Sequence, residues 1–201
     1  TGSETFIPPI PGVENVDCWT HRDALDNKEV PASLTIVGGG VIGMEFASFF
    51  TSLGVQVTVV EMLDEILGGM DKELSAMLRA EYAKKGIKFL LSTKVVGVSK
   101  EETGITVSYE NADGTGTVTA DKLLMSVGRR PVTKGFGLEN LNLEWTERRC
   151  IKVDEHLQSS VPGVYVCGDL NGVSLLAHTA VREAEVAVHH ITGKEDAMSY
   201  R

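Results

Sequence analysis

Cysteine is scarce in this sequence, with three residues among 201, at positions 18, 150 and 167. No two of them have the C-x-x-C spacing of a metal or redox motif, and an odd number does not complete a disulfide framework. A small secreted fold held together by disulfides is therefore excluded. We expect a reducing, intracellular environment, and hence a cytoplasmic location.

Positive charge and long apolar runs are also lacking. The chain has 19 Lys and Arg against 28 Asp and Glu, a formal net charge of −9, with no Lys/Arg cluster. That balance argues against nucleic acid or an anionic membrane surface as a partner. Residues 31–60 carry a single charge, Glu45, but five glycines and Gln56 interrupt the run. A spanning helix needs about 20 consecutive apolar residues, so we do not expect membrane insertion.

The chain does contain enough apolar material for a core, since 42% of its residues are hydrophobic. At roughly 100–200 residues per domain, the length allows one domain, or one domain and part of a second. The first residue is Thr1 rather than Met, and we interpret this start as a processed terminus or as a cut inside a longer protein.

A strand, a helix and a second strand follow one another between residues 33 and 60. Residues 33–37 are a short β-rich apolar run that ends at three glycines, which is typical of a buried strand. The apolar spacing then changes to that of a helix, which Gly54 ends. Its apolar face consists of Ile42, Phe46, Phe49, Phe50 and Leu53. Residues 55–60 are the second strand, so the pattern predicts a parallel βαβ unit.

Further strands and helices are predicted on both sides of this unit. A short polar helix is expected near residues 20–28, and an amphipathic helix over 71–85. The second helix carries Leu74, Met77, Leu78 and Tyr82 on one face. β-rich pieces follow at 87–91, 94–99, 105–109, 117–119 and 122–127, with a hairpin turn at 111–114.

After Pro131 the sequence becomes loop-rich as far as about residue 160. A strand is then predicted at 163–167, followed by a closing helix. The apolar stripe of that helix consists of Ala177, Val181, Ala184, Val188 and Ile191. We predict an α/β fold: a Rossmann-like domain with a mainly parallel sheet and a β-meander crossover, and a boundary near residue 131.

The turn between the first strand and the first long helix matches G-x-G-x-x-G, as Gly38-Gly39-Gly40-Val41-Ile42-Gly43. Gly38 permits the tight turn, Gly40 lets the backbone approach a pyrophosphate, and Gly43 lets the helix pack close to the strand. The helix N-terminus offers free N–H groups and about half a positive charge to the phosphates. The alternative is a turn that needs glycine only for packing.

Glu61 ends the second strand, 23 residues after Gly38. An acid at this place accepts hydrogen bonds from both ribose hydroxyls and repels the 2′-phosphate of NADP. Residues 62–65 contain no Arg to bind that phosphate. We therefore predict NAD(H) as the cofactor, with strong selectivity over NADP(H); the alternative interpretation of Glu61 is a solvated strand end.

A second candidate site lies at Gly168-Asp169, which follows the predicted strand at 163–167. Ligands gather at the carboxyl ends of such strands, so Asp169 is a candidate binding residue. The alternative is a turn aspartate that caps its own backbone.

Four motifs in this order resemble the two-dinucleotide flavoprotein disulfide reductases, a family of pyridine nucleotide-disulfide oxidoreductases, and most closely its dihydrolipoamide dehydrogenases. The motifs are Thr1-Gly2-Ser3 with Pro9-Ile10-Pro11-Gly12, Gly38 through Glu45, Ser126 through Pro131, and Gly168-Asp169 with Leu175-Leu176-Ala177-His178. The resemblance covers nearly the whole chain. It implies a connector from an FAD domain at 1–14, an NAD-binding domain at 15–131 and a second, incomplete FAD-domain segment at 132–201.

The resemblance also implies site residues. The NAD set is Gly38, Gly39, Gly40, Val41, Ile42, Gly43, Met44, Glu45, Glu61, Val95 and Gly128. The FAD set is Thr1, Gly2, Ser3, Asp169, Leu175, Leu176, Ala177 and His178. In the family, Glu45 corresponds to a helix glutamate near the nicotinamide, and Asp169 to the residue that binds the FAD ribityl chain. We expect no metal site.

The family's redox cysteine pair, its FAD pyrophosphate motif and its His–Glu base are not found in this sequence. The resemblance therefore implies part of an enzyme that oxidises a lipoyl-bearing protein through a disulfide and FAD to NAD, and that forms a homodimer through a further domain. The part alone is expected to bind NAD and to be inactive. The alternatives are another NAD-linked disulfide reductase, such as a mercuric reductase, or a non-catalytic NAD-sensing module.

Overall fold

The computed structural model describes residues 2–200, in ten strands and four α-helices. The strands are β1 (Ser3–Thr5), β2 (Cys18–Trp19), β3 (Ser33–Val37), β4 (Gln56–Val60), β5 (Lys88–Leu90), β6 (Lys94–Glu101), β7 (Gly104–Asn111), β8 (Gly114–Ala120), β9 (Lys122–Met125) and β10 (Arg129–Pro131). The helices are α1 (His21–Asp26), α2 (Val41–Ser52), α3 (Lys72–Lys84) and α4 (Ala177–Ile191).

The described chain folds into two units, residues 5–128 and residues 2–4 with 129–200. We call them the sheet unit and the C-terminal unit and describe each by itself. The domain boundaries expected from the sequence, after residues 14 and 131, stay a prediction.

Five parallel strands in the order β2-β9-β3-β4-β5 form the central sheet of the sheet unit. Strand β3 lies in the middle and pairs along its whole length with β4, from Ser33 opposite Gln56 to Val37 opposite Val60. Strands β6, β7 and β8 form a separate antiparallel meander. The predicted α/β class, its mainly parallel sheet and its meander are confirmed.

Both faces of the central sheet are buried, as parallel sheets require. On one face, Ile36 of β3 and Val59 of β4 pack in a cluster with the buried residues of α2. On the other face, Val37 and Met125 pack against the meander, where Val107 is fully buried. Alternate residues of β3 therefore serve opposite layers, and the glycine-rich turn emerges from a strand that is fixed on both sides.

The helix limits follow their capping residues. Asp71 caps α3, since its carboxylate accepts hydrogen bonds from the N–H groups of Glu73 and Leu74, at 2.9 and 3.1 Å. Helix α2 gives way to Gly54, which has a positive φ of 86°. The predicted α2 and α3 agree with the observed helices to within a residue or two at each end.

The apolar faces expected from the sequence are covered only in part. In α2 the buried residues are Gly43, Met44, Phe46, Ala47 and Phe50, whereas Phe49 and Leu53 are exposed. In α3, Ser75 is buried while Leu74 and Met77 are exposed. In α3 the larger Leu78 and Tyr82 are partly buried against the same core cluster as Phe46 and Phe50 of α2, so only part of each predicted stripe is covered.

The C-terminal unit has little regular structure apart from α4. Strands β1 and β10 form a two-stranded sheet, and a 3₁₀ turn spans Gly168–Leu170. The strand predicted at 163–167 is wrong, because only Tyr165 there forms a bridge, with Gln158. Only two backbone hydrogen bonds hold this segment to residues 157–159: the N–H of Val166 donates to Leu157, and the N–H of Ser159 donates to Val164. The paired segment is too short to form a β-ladder.

Candidate functional site

The glycine-rich turn leaves β3 at the carboxyl edge of the sheet. Gly38 has a φ of 107°, which favours glycine, and a Cβ there would collide with the backbone carbonyl of Ser126. Its N–H donates to the carbonyl oxygen of Val60, at 2.9 Å. The protein itself therefore requires glycine at Gly38, because the turn passes between the ends of β4 and β9.

The fold requires glycine at Gly43 but not at Gly40. A Cβ on Gly43 would collide with the carbonyl oxygen of Gly38, so this glycine permits the close packing of α2 on β3. Gly40 has an ordinary φ of −71°, and apart from its chain neighbours no residue reaches within 4 Å of where its Cβ would be. Nothing in the described chain demands glycine at Gly40, which leaves its open side to a ligand.

Helix α2 begins beside this open side. Gly40 is its N-cap and supplies no side-chain hydrogen bond, and no acidic residue lies in the first turn. The N–H groups of a first turn have no partner within their helix and carry the positive end of its dipole. Met44 is buried, whereas Val41 and Glu45 are exposed and Ile42 is partly buried. This helix end fits a phosphate.

Glu61 follows β4 and bends back to the glycine-rich turn. Its carboxylate accepts hydrogen bonds from the backbone N–H of Gly39, at 2.5 Å, and of Leu63, at 2.8 Å. A carboxylate has about four acceptor positions, so two stay available. The side chain is partly buried and held beside the turn, which does not fit a freely solvated strand end.

Gly128 and Val95 are the remaining members of the predicted NAD set. Gly128 follows β9 with a φ of 122°, and its carbonyl oxygen accepts a hydrogen bond from the N–H of Phe6, at 3.0 Å. Val95 lies on β6, partly buried against the core of the meander. The N–H of Thr93, two residues earlier, donates to the carbonyl oxygen of Glu61. The structure thus brings Glu61 to the turn, with Gly128 at the same edge of the sheet, whereas Val95 is linked to Glu61 only through Thr93, two residues before it.

The segment between β4 and α3 also contacts the turn, which sequence reasoning missed. We call residues 62–70 the ribose-side loop. Ile66 is buried and packs at Gly39, and the N–H of Leu67 donates to the carbonyl oxygen of Gly39, at 2.8 Å. The one available signal was a lone β-branched residue, Ile66, between two acids and two glycines.

An ion pair joins this loop to α3. The guanidinium of Arg79 donates two hydrogen bonds to the Glu65 carboxylate, Nε to Oε1 at 2.7 Å and Nη2 to Oε2 at 2.9 Å. These bonds hold the pKa of the Glu65 carboxyl below its ordinary value. The charge of Arg79 is therefore already paired.

The C-terminal unit contains the predicted FAD set. Arg129 donates from Nε to the Ser3 hydroxyl, at 2.6 Å, and from Nη2 to the Ser3 carbonyl oxygen, at 2.5 Å. The Ser3 hydroxyl in turn donates to the Asp169 carboxylate. A chain of hydrogen bonds thus links Arg129, Ser3 and Asp169. The Asp169 carboxylate therefore bonds to a residue remote in the chain, whereas the alternative interpretation expected it to cap the backbone of its own turn.

The other members of the FAD set lie on the surface of the same unit. Gly2 is exposed, with a φ of 72°, and Thr1 lies outside the described residues. Leu175 and Leu176 are exposed apolar residues just before α4, and Ala177 and His178 open that helix. The residue that sequence reasoning missed is Glu183, whose buried carboxylate accepts the N–H of Gly168, at 2.5 Å.

The described helices include none with the length and apolar character that crossing a bilayer requires.

Comparison with known proteins shows the family of the chain. Residues 1–184 match the family described as pyridine nucleotide-disulphide oxidoreductase. The dihydrolipoyl dehydrogenase of Acholeplasma laidlawii is 44% identical over 195 residues, which cover 95% of this chain and 56% of that protein. The dihydrolipoyl dehydrogenase of Thermus scotoductus is 38% identical, over all of this chain and 44% of that protein. The chain thus spans about half the length of these relatives.

Solved structures agree with this relationship. The HOCl-induced flavoprotein disulfide reductase RclA from Escherichia coli, as its Cu(II) complex, superposes with a TM-score of 0.91 at 28% identity, over 100% of this chain and 45% of that chain. LpdA from Mycobacterium tuberculosis superposes with a TM-score of 0.90 at 30% identity, over 100% and 43%. The chain therefore belongs to the pyridine nucleotide-disulphide oxidoreductase family of flavoproteins.

Proposed function

We propose that this chain is the NAD(H)-binding part of a dihydrolipoyl dehydrogenase. The single observation that supports this best is the pairing of an open Gly40 with a Glu61 carboxylate held at the same turn. The first suits a pyrophosphate at the start of α2, and the second suits the ribose hydroxyls next to it. Residues 38–45, Glu61, Val95 and Gly128 form the proposed NAD set.

NAD(H) is proposed over NADP(H) on grounds of charge. Glu61 places a carboxylate where a 2′-phosphate would lie, and like charges there repel each other. Arg79 of α3 is held by Glu65 in a bidentate, partly buried ion pair, so its charge is already engaged and does not offset that repulsion.

In the whole protein, Gly2, Ser3, Asp169 and residues 175–178 would contact FAD, with Thr1 as a further expected contact. The flavin supplies electron transfer between a dithiol and the nicotinamide, and the chemistry belongs to these cofactors. The task of this chain's residues is to bind and orient them. Ser3 and Asp169 fit a hydroxyl-rich ribityl chain, because a hydroxyl and a carboxylate already hydrogen-bonded together offer donor and acceptor sites. A lipoyl-bearing protein as substrate, a homodimer and a cytoplasmic location are part of the same proposal.

A titration with NADH and NADPH tests the nucleotide assignment on the chain as it stands. Binding is followed by energy transfer from the two tryptophans, Trp19 and Trp145, to the reduced nicotinamide. We expect saturable NADH binding and at least a tenfold weaker affinity for NADPH, which is about 1.4 kcal/mol. Equal affinities would contradict the role given to Glu61, and no NADH binding would contradict the proposed site.

The assignment to dihydrolipoyl dehydrogenase is tested on the longer protein that carries this chain. That protein is expected to purify with bound flavin and to reduce NAD when given dihydrolipoamide. A colourless protein that does not take up added FAD would overturn the flavoenzyme proposal. Activity with a different disulfide or with Hg(II), and none with dihydrolipoamide, would move the chain to another branch of the family.

A further inference from the structure

We propose that the Glu65–Arg79 ion pair is a positioning device for the dinucleotide site, and that it sets the affinity for the nucleotide without touching it. This inference rests on the proposed NAD(H) binding. It concerns the ribose-side loop, residues 62–70, which runs from Glu61 to the N-cap of α3.

Three contacts hold Glu61 and this loop on the glycine-rich turn. The Glu61 carboxylate accepts the N–H of Gly39, the carbonyl oxygen of Gly39 accepts the N–H of Leu67, and the buried Ile66 side chain packs at the same residue. Both backbone polar groups of Gly39 are therefore bonded to this segment. A shift of the loop would move Gly39 and with it the first turn of α2.

The loop needs an external support because its own backbone is strained. Leu67 adopts a φ of 55°, the left-handed region that a branched side chain rarely occupies. Gly69 follows with a φ of 95°. A non-glycine residue in this region is strained and persists only where its surroundings hold it. Glu65 stands two residues before Leu67, where it can supply that hold.

The Glu65 carboxylate is bonded both to α3 and to the backbone of its own loop. Its two oxygens accept the bidentate Arg79 guanidinium, and Oε1 also accepts the N–H of Ile66, at 2.9 Å. Its side chain is 13% exposed, and that of Arg79 is 34% exposed. The pair thus ties the residue that packs on Gly39 to α3, a helix anchored by its Asp71 cap.

The same loop offers an internal comparison. Asp64 pairs with Lys72 at 2.8 Å, but these side chains are 71% and 77% exposed, and only one hydrogen bond joins them. Exposed pairs of this kind contribute little, while bidentate, partly buried ones fix geometry. The positioning role is therefore assigned to Glu65–Arg79 alone.

The test compares Arg79→Met with Lys72→Met in the full chain. Arg79→Met keeps the length of the side chain and removes its fork, and we expect NADH and ADP-ribose to bind about three- to tenfold more weakly, with the same factor for both. Hydrogen exchange of the Leu67 amide is expected to accelerate in this variant, because its bond to Gly39 opens more often. Arg79→Lys, which retains one charged hydrogen bond, should restore part of the affinity. Lys72→Met should match the wild type in affinity and exchange.

The outcomes distinguish failure of the proposed NAD(H) binding from failure of the positioning role. If the wild type does not bind NADH, the proposed function itself is contradicted, and the positioning role falls with it. If the wild type binds and Arg79→Met binds equally well, the positioning role is refuted. A loss of affinity together with a general loss of protection throughout the sheet unit, rather than at the loop, would also refute it, since it would show unfolding instead of misplacement.

Discussion

Substituting Gly40 by alanine separates what the ligand requires of the turn from what the fold requires. Gly40 has φ −71° and ψ −179°, values that alanine adopts freely, and apart from its chain neighbours no residue would lie within 4 Å of an added Cβ. An unstrained Gly→Ala change stabilises a protein by about 0.4–1 kcal/mol through the unfolded chain. Alanine is a poorer N-cap than glycine by several tenths of a kcal/mol. The free energy of unfolding should therefore change by less than about 1 kcal/mol.

The expected effect on nucleotide binding is much larger. A methyl group on the open side of Gly40 would hold a pyrophosphate away from the N–H groups at the start of α2. A hydrogen bond to a charged group contributes about 1.5–3 kcal/mol. Loss of one such bond corresponds to a roughly tenfold to hundredfold weaker affinity for NADH.

Gly43→Ala is the matched comparison, since it lies three residues along the same helix. Its Cβ would collide with the carbonyl oxygen of Gly38, so α2 must move away from β3. Overpacking of this kind typically costs about 1–3 kcal/mol, and we expect both stability and NADH affinity to fall. Urea unfolding and NADH fluorescence titration measure the two quantities. The reasoning is refuted if Gly40→Ala binds NADH like the wild type, or if it is destabilised as strongly as Gly43→Ala.

Two further predictions concern Glu61 and Cys18. Glu61→Gln keeps an acceptor for the N–H of Gly39 but removes the charge, so we expect NADH to bind about tenfold more weakly and the discrimination against NADPH to shrink, as the same titrations will show. An unchanged ratio of the two affinities would contradict the charge argument. Burial, assisted by Asp23 and Asp17, raises the pKa of the Cys18 thiol to about 11. Alkylation of Cys18 at about pH 8 should therefore be roughly a hundredfold slower in the folded than in the unfolded chain, as followed by mass spectrometry. Because the pKa in the folded chain exceeds the ordinary value of 9.0, the stability that the neutral Cys18 thiol gives the folded state is complete below about pH 9 and is lost as the pH rises towards 11.

The sequence was most informative where backbone conformation and short-range order decide the structure. The turn after β3 could be predicted because only glycine tolerates the φ of Gly38 and the closeness of Gly43 to it. The parallel sheet followed from the βαβ order, whose crossover rule leaves few arrangements. The hairpin at 111–114 was equally local, and Asn111 indeed pairs with Gly114 across it.

The sequence was least informative where the partner of a residue is remote in the chain. Arg79 is an ordinary helix cation by pattern, yet Glu65, 14 residues away, gives it a fixed bidentate partner. The strand predicted at 163–167 had the right composition, but a strand also needs a neighbour of sufficient length, and composition does not report one. The ribose-side loop was missed for the same reason, since its contacts to Gly39 cross the sheet edge.

Helix α4 shows how periodicity predicts an element without its rotation. Its apolar stripe is regular, yet Val181, Val188 and Ile191 are exposed, while Glu183, Val186 and Ala187 are buried. Val186 and Ala187 pack with Leu157, and on the same face the Glu183 carboxylate accepts the N–H of Gly168 and the hydroxyl of Tyr200. Turning the stripe inward would break both bonds and leave the N–H of Gly168 without an acceptor, a penalty of about 1–3 kcal/mol. The buried Glu183 carboxylate therefore favours the observed orientation of α4 and also ties the helix to the Gly168–Leu170 turn that carries Asp169.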